Sequence, residues 1–580
     1  MASSDLRSVA TRSLTRRSSV GERSAVAGRS AKRRSLTRHA SVNEASAKQA
    51  AEEAKQQCVP ASWFHEGTLL DELSKRHVEV FSKLLRPGRH HGVMRGRITW
   101  GSLCSGSEGA HFVMEAIHRA LNESLSTALG QDSESFQFEQ VFACEIDQDK
   151  RKWIDFIANT DPSNGVRRPP ARQVCIFGDI KEMGHASVYC HTHCKKCPVP
   201  DCNVLIVSTS CKDLSPLSSN ARNNALGPVL GRTTSPGGTA DTFRRGMLVY
   251  MDAHPVDVII YENSDNLDDS DAAGGNFDLF QSEMHSRSFE GQCFVLNSKL
   301  FGVPQNRRRF WGVFFATAQT IIDYSERSVS DMVKTLSLLL QTCQSKCPSA
   351  LDLLLPDDDD MVASELLARI EKEHCCDEAP KWISEHQQVY AELRLQWGVD
   401  PPCSATNRSP WLQTLTRSQQ STLVLNQYRL IASQSNQQLP TVSDQKQMPR
   451  LMVDVFPSKS RLSTSILDSE VGEIAPCILP NQLLWLHLPS PRTPRLMLAY
   501  EAMLFQGWPI AKVQLPTWAS AKLLQQLAGN AVSTPVLLAV ALSAFMSASW
   551  TKPRHKTETT AEDVDHALTL MAQVCPSWPS

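Results

Sequence analysis

Val204-Leu205-Ile206-Val207-Ser208-Thr209-Ser210-Cys211-Lys212-Asp213-Leu214-Ser215 is the stretch on which the reading of this 580-residue chain turns. Four consecutive branched apolar residues form the pattern of a strand buried on both faces, as in a parallel sheet covered by helices on each side. The run then gives way to small hydroxyl residues and one cysteine. Open α/β sheets place their reacting groups just past the C-terminal ends of strands, which is where Cys211 would stand. A small core thiol is the competing reading, because free cysteine is among the most buried residue types. The flanking sequence has to choose between the two.

Upstream, Arg97-Ile98-Thr99-Trp100-Gly101-Ser102-Leu103 reads as a first strand that runs into Cys104-Ser105-Gly106-Ser107-Glu108-Gly109. A helix is expected next, with Phe112, Val113, Ala116, Ile117, Ala120 and Leu121 on one face. Strand, glycine turn and helix together bring backbone N–H groups and a helix N-terminus close to a nucleotide-like ligand. Tight turns also need glycine for backbone reasons alone. Val141-Phe142-Ala143-Cys144-Glu145 is a second expected strand ending in an acid, and Gln173 to Phe177 a third that leads into Gly178-Asp179-Ile180. A carboxylate at such a strand end can accept hydrogen bonds from a ribose diol. Either acid alone would more often cap a helix; two at successive strand ends favour a cofactor.

Between the third strand and the Cys211 stretch lies Cys190-His191-Thr192-His193-Cys194-Lys195-Lys196-Cys197-Pro198-Val199-Pro200-Asp201-Cys202. It resembles a small zinc knuckle, with Cys190, Cys194, Cys197 and Cys202 as the expected ligands and Cys194/Cys197 as a C-x-x-C pair. Reduced thiols in a loop without metal are the other reading. Downstream, the polar segment from Ser215 to Thr242 is expected to be a mobile lid. Val256 to Tyr261 is a further buried strand ending in Glu262-Asn263-Ser264. Cys293 to Leu296 and Phe310 to Phe315 flank Gly302-Val303-Pro304-Gln305-Asn306-Arg307-Arg308-Arg309, whose arginines would otherwise be a solvated turn.

The composition is that of a soluble globular protein, 41% hydrophobic and 21% charged. Seventeen cysteines at irregular spacing suggest reduced thiols rather than a disulfide framework, and no apolar run has the length of a membrane span. The net charge of -1 hides a basic N-terminus, where residues 1–50 hold eleven Lys or Arg against Asp5, Glu22 and Glu44. Residues 1–60, rich in Ser, Arg and Ala, are expected to be a disordered tail that contacts phosphates or carries a nuclear address. An organelle transit peptide fits the same composition.

Taken in order, these motifs resemble those of the cytosine-C5 DNA methyltransferases that use S-adenosylmethionine. Cys104 to Gly109 looks like the family's first glycine motif, Glu145 its ribose acid and Gly178-Asp179-Ile180 its adenine-contacting turn. Ser210-Cys211 resembles the Pro-Cys nucleophile motif, Glu262-Asn263-Ser264 the Glu-Asn-Val motif, and Gln305 to Arg309 the Gln-x-Arg-x-Arg motif. Phe505-Gln506-Gly507-Trp508-Pro509 and Gly529-Asn530-Ala531-Val532-Ser533 resemble the last two. The chain departs from the pattern at Glu108, Ser210, Lys212 and Ser264, which stand for the usual glycine, proline, glutamine and valine.

The resemblance implies a Rossmann-like α/β fold, with a mostly parallel sheet between helices and a smaller target-recognition domain. A catalytic domain is expected over 61–317 and again over 491–548, target recognition over 318–490, and a tail over 549–580. It further implies that Cys211, Glu262, Arg307 and Arg309 carry the chemistry, Arg309 at the base and Arg307 near a phosphate or the lid. Ser105, Gly106, Gly109, Glu145, Ile146, Asp179, Ile180, Asn530 and Val532 would hold the cofactor. Lys212 and the arginines are expected to favour the Cys211 thiolate. The implied partner is double-stranded DNA with a flipped cytosine. The same chemistry on a transfer-RNA cytosine and a catalytically silent nucleic-acid-binding regulator are the alternatives.

Overall fold

The computed structural model describes residues 44–85, 97–129, 137–214, 227–232, 236–269, 274–317, 322, 328–371, 380–434, 451–455, 464–466, 474–488, 490–548 and 550. Residues 1–43 of the tail expected at 1–60, all of the tail expected at 549–580 except Trp550, and much of the lid expected over Ser215 to Thr242 lie outside these residues.

Nine strands form the main sheet: β1 (Arg97–Leu103), β2 (Gln137–Cys144), β3 (Cys175–Phe177), β4 (Ser187–Cys190), β5 (Lys195–Pro198), β6 (Val204–Val207), β7 (Val258–Ser264), β8 (Phe289–Asn297) and β9 (Arg308–Ala316). Their spatial order is β5-β4-β3-β2-β1-β6-β7-β9-β8. The central five pair in parallel, while β4, β5, β8 and β9 extend the two edges in antiparallel fashion. This is the Rossmann-like α/β fold expected from the sequence. After β3 and its hairpin the chain returns to the middle and builds outwards the other way, so a topological switch point lies between β1 and β6. Ligands of open α/β sheets bind at the carboxyl ends of the strands at such a point.

Strand periodicity divides the apolar residues between two cores. Val204, Ile206, Val258, Ile260, Trp311 and Val313 face one core, while Leu205, Val207, Ile259, Tyr261, Phe310 and Phe314 face the other. A side-chain period of two on a sheet covered on both sides requires this alternation, and it explains why these strands read as unbroken apolar runs. Each fully buried Val, Leu or Ile contributes about 1.5–3 kcal/mol.

On the first face lie helices Leu69–Leu84, Gly109–Leu129 and Val329–Thr342 around Thr534–Ser547. That last helix, Thr-Pro-Val-Leu-Leu-Ala-Val-Ala-Leu-Ser-Ala-Phe-Met-Ser, has no polar face and is buried almost throughout, as an element apolar on all sides must be. Among the described residues no single helix is long and apolar enough to cross a membrane.

Three expectations about organisation need correction. Residues 44–60 are not tail: Glu44–Gln56 is a helix that buries Ala47, Ala51 and Ala54 and packs on Val329–Thr342. Its high alanine content, read as part of a disordered tail, is also high helix propensity. The segment 318–490 is not one separate body, because Met332, Leu336, Leu339, Leu353 and Leu354 belong to the main core. The boundary placed at 490/491 also cuts through a second, antiparallel sheet of β10 (Leu451–Asp454), β11 (Thr464–Ile466), β12 (Leu484–His487) and β13 (Arg495–Leu496). Its core joins Leu355, Val362, Trp411 and Leu423 to Val453, Trp485 and Leu496.

Candidate functional site

The carboxyl ends of β1, β2 and β3 form the first half of the site. Beyond β1 the turn 104–109 runs through positive φ at Cys104, Gly106 and Glu108 (55°, 57° and 59°). A left-handed glutamate is uncommon and costs of order 1 kcal/mol or more, which accounts for the usual preference for glycine at this place. Glu108 is held there by burial: its carboxylate accepts from Ser102 Oγ at 2.9 Å and Gln140 Nε2 at 3.1 Å. Loss of hydration pushes its pKa up to about 7, only partly countered by these donors and by His111.

The consequence is a pH dependence with a definite sign. Folded Glu108 keeps its proton to about pH 7, whereas the unfolded residue releases it near 4.5. Its contribution is therefore complete below about pH 4.5 and is lost as pH rises through the window to about 7. The isosteric Glu108→Gln variant should show a flatter decline of unfolding temperature between pH 5 and 8 than the parent. Identical slopes would count against a protonated Glu108.

Glu145, immediately past β2, accepts from the backbone N–H of Gly106 at 2.9 Å and of Asp147 at 3.0 Å. A carboxylate has about four acceptor sites, so two remain for a diol. Ile146 beside it is 68% exposed, an apolar face turned to solvent at the strand end. Asp179, past β3, accepts from the Lys181 N–H at 3.0 Å, and Lys181 Nζ lies 3.3 Å away. Ser105 N donates to Cys144 O, and Gly106 lies against the Asn530 carbonyl. Gly109 abuts Thr534 and Trp508. Val532 is half-buried beside Asn530, which is exposed. Ile180 instead turns inwards, against Gly246. A carboxylate with free acceptor sites, an exposed apolar side chain and a second acid on adjacent strand ends suit an adenosine-bearing cofactor.

The carboxyl ends of β6 and β7 and the start of β9 form the second half. Cys211 is exposed on the loop after β6. Helix Thr239–Thr242 braces that loop: Ser210 N donates to Thr242 Oγ1, Asp213 N to Thr239 Oγ1, and Thr239 N back to Asp213 Oδ2. This end of the expected lid is therefore a support, with Thr239, Ala240 and Asp241 buried. Glu262 on β7 accepts from Ser208 Oγ and pairs with Arg309 Nε at 3.3 Å. Although Cys211 keeps solvent-exposed surface, its thiol lies higher than an ordinary thiol because the protein around the sulfur displaces much of its water and Glu262 adds like charge; Arg309 and Arg307 pull the other way without prevailing. The expected thiolate is thus not the resting form, because loss of water and the Glu262 charge outweigh the two arginines.

Arg307, expected near a phosphate or the lid, is buried inside the protein. It donates to Ile478 O at 3.2 Å and Ala531 O at 2.6 Å and touches Cys477 Sγ at 3.4 Å. Gly529 sits so close to Leu479 and Pro480 that a side chain there would meet backbone at 2.0 Å. Arg307 therefore joins the start of β9 to two distant segments, and Arg309, two residues on, shares its contact with Cys477 Sγ at 3.5 Å. Cys477 was not anticipated. Burial raises its thiol, but the Arg307 and Arg309 guanidiniums outweigh this and bring the pKa below the usual value.

Of the four ligands expected for a metal, only Cys190 and Cys197 come together. Their partners are Cys175 and His193, and the four ligand atoms lie within 4.8 Å of one another. Cys194 is exposed and reaches His191 O, and the buried Cys202 sulfur accepts from Tyr250 OH. Proximity along the chain had suggested the wrong pair, because Cys175 sits on a separate strand.

A mostly parallel sheet with acids at successive strand ends and a thiol, a carboxylate and an arginine beyond its switch point defines a methyltransferase-type α/β protein. The family model described as C-5 cytosine-specific DNA methylase matches residues 250–545. The chain belongs to that family. A DNA (cytosine-5-)-methyltransferase DMT5 of Cryptococcus neoformans is 24% identical over 457 residues, which cover 77% of this chain and 17% of that much longer protein. Among solved structures, the S. pombe Dnmt2 methyltransferase aligns with 77% of this chain and 98% of its own at 11% identity and a TM-score of 0.37. The Entamoeba histolytica methyltransferase EhMeth aligns with 78% and 98% at 11% identity and a TM-score of 0.35.

Proposed function

We propose that this chain transfers the methyl group of S-adenosylmethionine to C5 of cytosine in DNA, through a transient bond between Cys211 and C6 of a flipped-out base. The observation that carries this reading is the placement of an exposed thiol on the loop beyond β6, with the Glu262–Arg309 pair on the neighbouring strands. The carboxyl ends of β1 to β3 would hold the cofactor, with Glu145 at its ribose and Ile146 and Asp179 at its adenine. When bound, the cofactor supplies an electrophilic methyl group on a sulfonium.

C5 of cytosine is too weak a nucleophile to take that methyl unaided. Addition of the Cys211 sulfur to C6 pushes electron density onto C5, so covalent catalysis divides one hard step into two. Glu262 holds the N3 and N4 edge and shares a proton with N3, which neutralises charge arising in the ring. That same proton removes the like charge that now raises the Cys211 thiol. Arg309 moves from Glu262 to the base O2. After C5 has taken the methyl, water takes the C5 proton, the C6–S electron pair returns to sulfur, and the N3 proton passes back through Glu262 to restore the free thiol. The base is flipped because its ring is unreachable within a duplex, at a cost of a few kcal/mol.

The test is trapping on DNA containing 5-fluorocytosine, whose C5 fluorine cannot leave as a proton does. A covalent protein–DNA adduct that requires S-adenosylmethionine is expected. Adducts formed only on RNA would move the substrate to RNA. Binding of cofactor and polymer without any adduct would make the chain a silent regulator.

A further inference from the structure

The hairpin β4–β5 is fastened to the sheet at its edge, and the backbone alone fastens it weakly. β3 is three residues long and shares one aligned pair with β4, Phe177 with Cys190. Behind that thin seam converge Cys175 from β3, Cys190 at the end of β4, His193 in the turn and Cys197 in β5. The three sulfurs lie 3.6, 3.3 and 3.5 Å from the same atom, His193 Nδ1. Hydrogen bonding does not explain this convergence, because an imidazole nitrogen has either one proton or one lone pair to offer. A tetrahedral zinc with bonds of about 2.3 Å to sulfur and about 2.0–2.1 Å to nitrogen separates its sulfur and nitrogen ligands by about 3.6 Å.

We infer that Cys175, Cys190, His193 and Cys197 form a structural zinc site that pins the β4–β5 hairpin to β3. Three thiolates and one imidazole are a soft, closed donor set, which selects zinc over oxygen-seeking cations and leaves no position open for catalysis. The 4.8 Å limit on the ligand atoms leaves room for one ion rather than a cluster. Binding displaces three thiol protons to solvent and leaves the centre with one net negative charge, beside the adjacent exposed Lys195 and Lys196.

The site also has a route to the cofactor half. His191, within the same turn, donates its N–H to Ile176 O at 2.7 Å, and its ring lies against Gly178, so that a side chain at Gly178 would come within 3.2 Å of it. Gly178 opens the turn that carries Asp179. The metal thereby sets the position of Asp179, a consequence that rests on the reading of Asp179 as a cofactor contact.

Plasma mass spectrometry of the purified full chain should find one zinc lost in the Cys190→Ala/Cys197→Ala double variant and retained in Cys194→Ala and Cys202→Ala. Cobalt(II) exchanged into the parent should give the intense visible absorption of a tetrahedral, thiolate-ligated ion. Zinc content unchanged by the double substitution, or a folded parent free of metal and unable to take up zinc or cobalt, overturns the site. If the double variant does not fold, the cobalt spectrum of the parent against that of Cys175→His decides: a shifted sulfur-to-metal band supports the site, an unmoved one refutes it. These readouts need neither cofactor nor DNA, so they stand apart from the methyltransferase reading. Weaker S-adenosylmethionine binding by chelated but folded protein, about tenfold or more, is expected of the link to Asp179; unchanged binding would sink that link alone.

Discussion

Cys211→Ala should leave a folded chain that binds S-adenosylmethionine and DNA and transfers no methyl group, with the rate down by about 10⁴-fold or more, the scale on which loss of a covalent nucleophile acts. Stability should hardly change. Cys211 is exposed, and the bonds that shape its loop run through Ser210 N, Asp213 N and Thr239 N. Incorporation of labelled methyl into DNA, measured beside a thermal melt, separates lost chemistry from lost structure. Cys477 is the necessary control: its thiol is held below the ordinary range by Arg307 and Arg309, whereas Cys211 is held above it. If Cys477→Ala abolishes transfer and Cys211→Ala spares it, the nucleophile has been misassigned. Because the reactive form of Cys211 is the thiolate and the resting thiol is protonated, kcat/KM should rise with pH through the neutral range.

The second large effect concerns stability. Arg495 and Glu501 are fully buried and joined by two hydrogen bonds, of 2.6 and 3.0 Å. The Glu501 carboxylate also accepts from the N–H groups of Leu355 and Leu498, both at 2.8 Å, and Arg495 donates to Leu355 O and Leu496 O. One ion pair therefore ties β13, the helix Ala499–Leu504 and the segment at 355 together. Replacing Glu501 by Gln leaves the buried guanidinium with only Asp357, 4.0 Å from its Nε, as counter-charge, and breaking such a pair costs about 3–5 kcal/mol. Urea denaturation should show the loss, and a drop below about 1 kcal/mol would mean that the network relaxes freely. Removing both charges with Arg495→Met and Glu501→Leu should restore part of the loss, because apolar side chains carry no desolvation cost there.

Sequence revealed most about the elements whose chemistry is local. The strands around Val204–Val207, Ile259 and Val313 are apolar runs because both sheet faces are covered, and they were readable for that reason. Their ends were less so: the strand expected at Val256–Tyr261 runs over Val258–Ser264, since pairing with β9 carries it through Glu262 to Ser264 opposite Arg309. The Cys211 loop, Glu145 and the glycine turn each lie within a few residues of a strand end, where the sequence places them. What was missed depends on contacts remote in sequence. The Arg495–Glu501 pair completes its bonds at Leu355. His193 and Cys175 meet only because a hairpin folds back on β3. The burial of Arg307 was not readable, because a motif states residue type and spacing but not whether the side chain faces solvent or core.

The apolar helix Thr534–Ser547 bears on how the protein is made. It packs on helices Leu69–Leu84, Gly109–Leu129 and Val329–Thr342, so the central core lacks its middle until this late segment has been translated. Ribosomes add roughly 5–20 residues per second, which leaves the earlier helices with their apolar faces open for tens of seconds. Such faces are aggregation-prone and are what chaperones bind. Synthesis of this chain should therefore depend on holding factors more than that of a protein whose core closes in the order in which it is read.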